Sequence, residues 1–211
     1  MVTELPTFEA AEISARRTAA VPAIRCLVVD DHPAIRLGLS ELLTAKADID
    51  VFDALPSAES AVAFAERTAI DVAVVDYQLG GRSGLWCSRK LKRLPAPPAV
   101  LIFSAFSDHL LAAACVVAQV DGLVSKTAVG DELCARIRQA ASGVSRLPMI
   151  PPALVDNLRR RLDASEQAIF GMMQAAITTE EIGRTLGMDR GELEGRLWAM
   201  LQKLERTDPI V

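Results

Sequence analysis

Asp30 and Asp31 stand together after a short apolar run, Asp76 ends a second such run, Ser104 follows a third, and Lys126 follows a fourth. Carboxylates gathered in one place repel one another until a cation joins them. Hard oxygen ligands with open positions suit Mg²⁺, which keeps several of its waters. A hydroxyl at Ser104 and an ammonium at Lys126, facing such an ion, would surround a phosphoryl group and stabilise charge spread over its oxygens during transfer. Taken singly, each residue has an ordinary role: Asp-Asp-His-Pro can cap the next helix, Asp76 can sit in a turn, Ser104 can be a loop hydroxyl, and Lys126 can be a solvated charge. His32 and His109 have no partner at metal-ligand spacing and are expected to stay out of any metal site.

For these side chains to meet, the runs that carry them must be strands of one sheet. Short β-rich runs at residues 24–29, 71–75, 99–103 and 122–124, with a weaker one at 49–55, alternate with longer helical stretches. That alternation predicts an α/β domain with a doubly wound five-stranded parallel sheet, in which ligands bind at the carboxyl ends of the strands. Pro33 suits a first helical turn, Ser57 and Ser107 suit helix caps, and Gly143 suits a helix end. The domain is expected to span residues 23–143, after a flexible N-terminal extension at 1–22. The proline-stiffened stretch at 144–152 reads as a linker without ordinary helix or ladder bonding, and residues 153–211 read as helical.

From residue 24 to 142 this pattern resembles the receiver domain of two-component response regulators. The resemblance implies a CheY-like fold, a phosphohistidine kinase as donor, and Asp76 as phosphoacceptor. It also implies Mg²⁺ held by Asp31 and Asp76 directly, by Asp30 through water and by the backbone carbonyl of Gln78, with Ser104 and Lys126 on the phosphoryl group. Such a domain is no enzyme in the usual sense, since it catalyses only its own phosphoryl transfer and dephosphorylation. Leu79 and Gly84 occupy family-like positions, whereas Gly80 stands where proline is usual. Leu123 takes the place of the aromatic switch residue three before the lysine, so an altered readout is expected.

The remaining sequence predicts helices at 165–176, 179–186 and 190–204. Asp163 and Thr178 serve as caps and Glu166 and Glu181 as their capping-box partners, while Leu186-Gly187-Met188-Asp189 forms the turn between the last two helices. Ile182, Leu186, Leu193, Leu197 and Leu201 fall at helical spacing and read as core. The segment from Glu181 to Met188, followed by Leu193 and Lys203-Leu204, resembles the helix-turn-helix of the NarL/LuxR (FixJ-like) class. That resemblance implies DNA as a partner and a homodimer on phosphorylation. Thr179, Arg190, Glu194 and Arg196 are then the candidate DNA contacts, with Arg159, Arg160 and Arg161 candidates for phosphate. Glu194 falls where the class usually presents a lysine.

Composition limits these readings. A chain of 211 residues, 51% hydrophobic and 24% charged, has room for two modest cores, and an aromatic share of 4% argues against stacking platforms for bases or sugars. The net charge of −4 gives no global attraction to nucleic acid or anionic membrane. Residues 151–211 carry eight basic against ten acidic side chains, which weakens the drive toward DNA phosphates. Transcription control through the helix-turn-helix is therefore read beside an alternative, a helical domain that acts through a protein partner. Cys26, Cys87, Cys115 and Cys134 suit buried free thiols, no stretch suits a membrane span or a signal peptide, and a cytoplasmic location is expected.

Overall fold

The computed structural model describes residues 22–105, 108–128 and 130–205. The expected extension at 1–22 therefore lies almost wholly outside the described residues, as does the proposed cap Ser107. Five strands, β1 (Ile24–Val29), β2 (Ile49–Leu55), β3 (Val72–Asp76), β4 (Ala99–Ser104) and β5 (Gly122–Ser125), form one parallel sheet in the order β2-β1-β3-β4-β5. The strands are apolar on both faces because helices cover both, and the period of two sorts their side chains between two cores. Leu27, Val29, Ala73, Val75, Val100 and Ile102 face one core with α2 (Ala58–Ala65), α3 (Gly84–Leu91) and α4 (His109–Val117). Cys26, Val28, Val72, Val74, Leu101 and Phe103 face the other with α1 (Pro33–Thr44) and α5 (Asp131–Ala141).

Helix ends follow their local chemistry. Pro33 opens α1, where its missing N–H costs nothing, and Ser57 caps α2 in a reciprocal box with Ser60. Asp108 caps α4 by accepting from the Leu111 amide, and Gly143 follows α5 with φ +81°, a backbone angle that favours glycine. All four cysteines are buried free thiols, and burial pushes those of Cys26 and Cys87 up to about 12.

The linker departs from the sequence expectation at both ends. Arg146 pairs with Gly122 as a parallel bridge and donates its amide to the Asp121 carbonyl at 2.6 Å, because the residue between the stiffening prolines and the sheet still has an N–H to give. Pro152 starts a helix, α6 (Pro152–Arg159), in the first-turn position that proline tolerates. Beyond it lie α7 (Ala164–Gln174), α8 (Thr179–Leu186) and α9 (Arg190–Glu205). Asp163 and Glu166 form the full capping box. Thr178 accepts from the Glu181 amide, but no return bond from the Glu181 side chain closes a second box. Gly187, at φ +67°, turns the chain from α8 into α9, which Asp189 caps through the Glu192 amide.

The helical unit packs onto the sheet unit. α7 and α9 lie on α4, so that Phe170, Leu197, Met200, Leu201 and Leu204 belong to the same apolar cluster as the α2–α4 core. Gly84 is a second tight point: a Cβ built there would overlap the Asp76 carbonyl oxygen. Gly195, inside α9, has open space around it. Gly84→Ala should therefore cost about 1–3 kcal/mol by overpacking, whereas Gly195→Ala should gain up to about 1 kcal/mol of helix propensity. Urea unfolding of both variants checks this pair. A Gly84→Ala midpoint equal to wild type would show that the β3–α3 turn is free to move away.

Candidate functional site

The acidic pocket lies where the ends of β1, β3, β4 and β5 converge. The side chain of Asp30 is 1% exposed and that of Asp76 5%, and the Lys126 ammonium lies 2.8 Å from Oδ2 of each. Lys126 reaches them because its amide donates to the Ser104 carbonyl at 2.7 Å, which holds the end of β5 beside that of β4. Ser104 is buried at the same edge. Arg36 donates to the Asp30 carbonyl at 2.7 Å and secures the turn into α1, and the Gln78 amide donates to Asp76 Oδ1 at 3.3 Å. Gln78 itself is exposed.

Burial holds the Asp76 carboxyl above its ordinary range, and the neighbouring Asp30 charge adds to the rise against the opposing Lys126. Burial alone would lower the Lys126 ammonium, but its hydrogen bonds to Asp30 and Asp76 outweigh that and raise it. The pocket is thus short of positive charge, with one ammonium shared between two buried acids. Asp31 Oδ1 is buried, with the His32 ring as its close polar neighbour, and possible ligand atoms of Asp30, Asp31, His32 and Asp76 all lie within 4.8 Å of one another. Three carboxylates gathered this closely with one ammonium between them fit a hard divalent cation.

His32 lies against the acids. Its Nδ1 lies 2.7 Å from Asp31 Oδ1 and 3.2 Å from Asp30 Oδ1, so the imidazole belongs to the cluster although no second histidine is spaced for it. The pairing arises from the tight turn after β1, where the His32 amide also bonds Asp30 Oδ1 at 2.9 Å. His109 begins α4 outside this cluster. Leu123 is 8% exposed and lies beside the linker residues Arg146, Leu147 and Pro148.

The candidate DNA contacts do not form one open surface. Glu194 turns toward the receiver-like unit, where its carboxylate pairs with the fully buried Arg89 and lies 4.0 Å from Arg93. Arg89 also donates to Gln119 Oε1 at 2.6 Å. Arg196 pairs with Asp163 at 3.0 Å. Thr179 and Arg190 line a cleft of about 560 Å³ between the two units, opposite Lys92 and Arg93. Arg160 and Arg161 are exposed, and the side chain at 159 lies outside the described residues. Arg89 was not singled out from the sequence, where it sits in a basic run with Lys90, Lys92 and Arg93. The available signal was the acid at 194, which needed a cation somewhere.

Residues 26–138 match the response regulator receiver domain family. The transcriptional regulatory protein LiaR of Bacillus subtilis (strain 168) is 25% identical over 195 residues, covering 88% of this chain and 92% of that protein. The response regulator UvrY of Escherichia coli (strain K12) is 26% identical over 191 residues, covering 86% and 88%. Among solved structures, a complex of the two-component response regulator RcsB with DNA aligns with a TM-score of 0.56 at 15% identity, covering 88% of this chain and 94% of that one. It shows that the order of sheet unit and helical unit recurs as a fold.

The raised Asp76 carboxyl has a consequence for stability. A carboxyl held above its unfolded value favours the folded state only while protonated, so its contribution is intact below about pH 4 and is lost as pH rises through the folded value. Asp76→Asn should therefore raise the thermal midpoint of the metal-free protein at pH 7 by a few degrees. The gain should shrink toward zero near pH 4. Calorimetry in chelator at the two pH values checks it, and a destabilised variant at pH 7 would contradict the assigned electrostatics.

Proposed function

This chain belongs to the response regulator receiver domain family, and from that premise we propose that Asp76 accepts a phosphoryl group from a sensor histidine kinase. It is a NarL/LuxR (FixJ-like) response regulator that regulates transcription under the control of phosphorylation. The proposed division is an extension at 1–22, a receiver at 23–143, a linker at 144–152 and a helix-turn-helix output at 153–211, within a cytoplasmic protein. The observation that carries the reading is the convergence of Asp30, Asp31, Asp76 and Lys126 at one sheet edge.

In the proposed reaction an Asp76 carboxylate oxygen attacks phosphorus, the P–N bond to the donor imidazole breaks, and its electron pair remains on nitrogen, which takes a proton. Lys126, already 2.8 Å from Asp76, shifts to a phosphoryl oxygen and compensates the added charge. Ser104, on the neighbouring strand end, takes a second oxygen. Mg²⁺, when bound through Asp30, Asp31, Asp76 and the Gln78 carbonyl, supplies the charge neutralisation that the carboxylates and the phosphoryl group require. His32 and Arg36 hold the β1 turn that presents the first two acids.

Output follows from the interface. With Glu194 against Arg89 and α9 on α4, the proposed DNA-reading helix is turned inward, so phosphorylation must release it before DNA or a second copy can engage it. The excess of acids in the output domain and the exposed Glu192 favour a second reading, in which the released domain binds a protein.

Two outcomes test this. Acetyl phosphate with Mg²⁺ should add one phosphoryl mass to the full chain and none to Asp76→Asn. An unchanged adduct in that variant would move the acceptor elsewhere. Glu194→Lys sets a second cation against buried Arg89 and should weaken the closed interface by about 3–5 kcal/mol. It should expose the linker to protease and, on the DNA reading, strengthen nonspecific DNA binding and steepen its salt dependence. Opening without any gain in DNA binding would favour the protein-partner reading.

A further inference from the structure

The β5 edge is poorly equipped to report the state of the pocket. Leu123 has no polar tip to follow the Ser104 hydroxyl, it is buried, and the linker bridge at Gly122–Arg146 ties the strand beside it. The loop after the acceptor, residues 77–83, is differently placed. At its start the Tyr77 amide donates to the Phe103 carbonyl at 3.3 Å and the Gln78 amide to the Asp76 carboxylate at 3.3 Å. At its end the Gly84 amide donates back to the Tyr77 carbonyl at 2.9 Å, so the two ends of the loop are tied to each other directly after the acceptor. The close approach of Gly84 to the Asp76 carbonyl leaves no slack between them.

Ser83, the last residue of this loop, caps α3 by accepting from the Trp86 amide, and its hydroxyl donates to Glu205 Oε1 at 2.7 Å. Glu205 is the last residue of α9. Besides its apolar packing on α4, the proposed DNA-reading helix thus makes polar contact with the receiver at two points along its length. Near its start Glu194 pairs with Arg89, and at its C-terminal end Glu205 meets the loop that begins at the acceptor.

We propose that the Ser83–Glu205 hydrogen bond is the contact through which phosphorylation of Asp76 loosens α9, so that the signal leaves by the acceptor loop and not by β5. The inference rests on the reading of Asp76 as phosphoacceptor. Phosphorylation turns the Asp76 carboxylate into an acyl phosphate, a poorer acceptor for the Gln78 amide, and shifts the start of the loop. The phosphoryl group adds negative charge at the start of a loop whose end meets the Glu205 carboxylate, and the part of that charge left uncompensated by Lys126 and Mg²⁺ repels Glu205. Both effects weaken the same hydrogen bond.

The test uses the full-length protein, with beryllofluoride and Mg²⁺ as the phosphoryl probe and amide hydrogen exchange of α9 as the readout. In wild type the probe should speed exchange across α9. Glu205→Ala should speed it about threefold to tenfold without the probe, the equilibrium equivalent of one hydrogen bond, and should abolish most of the further response. Glu205→Gln, which keeps an acceptor oxygen for Ser83 but no charge, should stay near wild type without the probe and respond less to it. Leu123→Ala should leave the response intact. Glu205 is exposed at a helix end, so these variants fold, whereas Ser83→Ala also removes the α3 cap. A wild-type probe response in Glu205→Ala, or its loss in Leu123→Ala, overturns the inference. Absence of a phosphoryl adduct on wild type in the parallel acetyl phosphate reaction would instead overturn the reading of Asp76 beneath it.

Discussion

Helix α4 has no polar face. Its nine residues, from His109 to Val117, carry eight apolar side chains, and Leu111, Ala112, Ala113, Ala114, Cys115 and Val117 are all buried. A helix that is apolar all round must be covered all round. The sheet covers one side, and the other is covered by α7 and α9 of the helical unit. The apolar cluster that begins under β3 and β4 therefore continues without interruption into Phe170, Leu197 and Leu201. The closed arrangement is a consequence of this helix: releasing the output domain returns its outer face to water unless another surface replaces the one removed.

Electrostatics makes the same contact selective. Arg89 has no exposure to solvent, and a guanidinium in that position is tolerable only with an anion and further acceptors. Glu194 and Gln119 supply them, one from the output helix and one from the loop before β5. An acid at position 194 repels phosphates but gives the buried Arg89 its anion in the closed arrangement. The acidic pocket has the opposite balance, since one ammonium there serves two buried carboxylates, with a third carboxylate beside them. The pocket is short of cation, whereas at the interface two guanidinium groups face one carboxylate.

The sheet unit was legible because its signals are local. Apolar runs ending in Asp30, Asp76 and Ser104, with Pro33 and Ser57 at the expected helix starts, determine strands, helices and the edge at which the acids meet. The capping box at Asp163 and Glu166 and the left-handed turn at Gly187 are local in the same sense. The contact of His32 with Asp31 was not legible, because nothing in the spacing of a lone histidine says that a turn folds its ring back onto that acid. The linker was misjudged because the prolines at 148 and 151 say nothing of Arg146, whose free amide found the Asp121 carbonyl.

By itself the sequence determined which residues could meet at the strand ends and what chemistry they could share, since parallel strands with a period of two leave few other arrangements. Only the tertiary structure decided what the output helix does with Glu194 and Glu205. Their partners, Arg89 and Ser83, lie more than a hundred residues away along the chain. Side-chain type gives each acid a need for a partner, but helix periodicity assigns it only a face. Which surface that face meets is settled by the packing of α9 against an all-apolar α4, a contact between distant segments that no local pattern encodes.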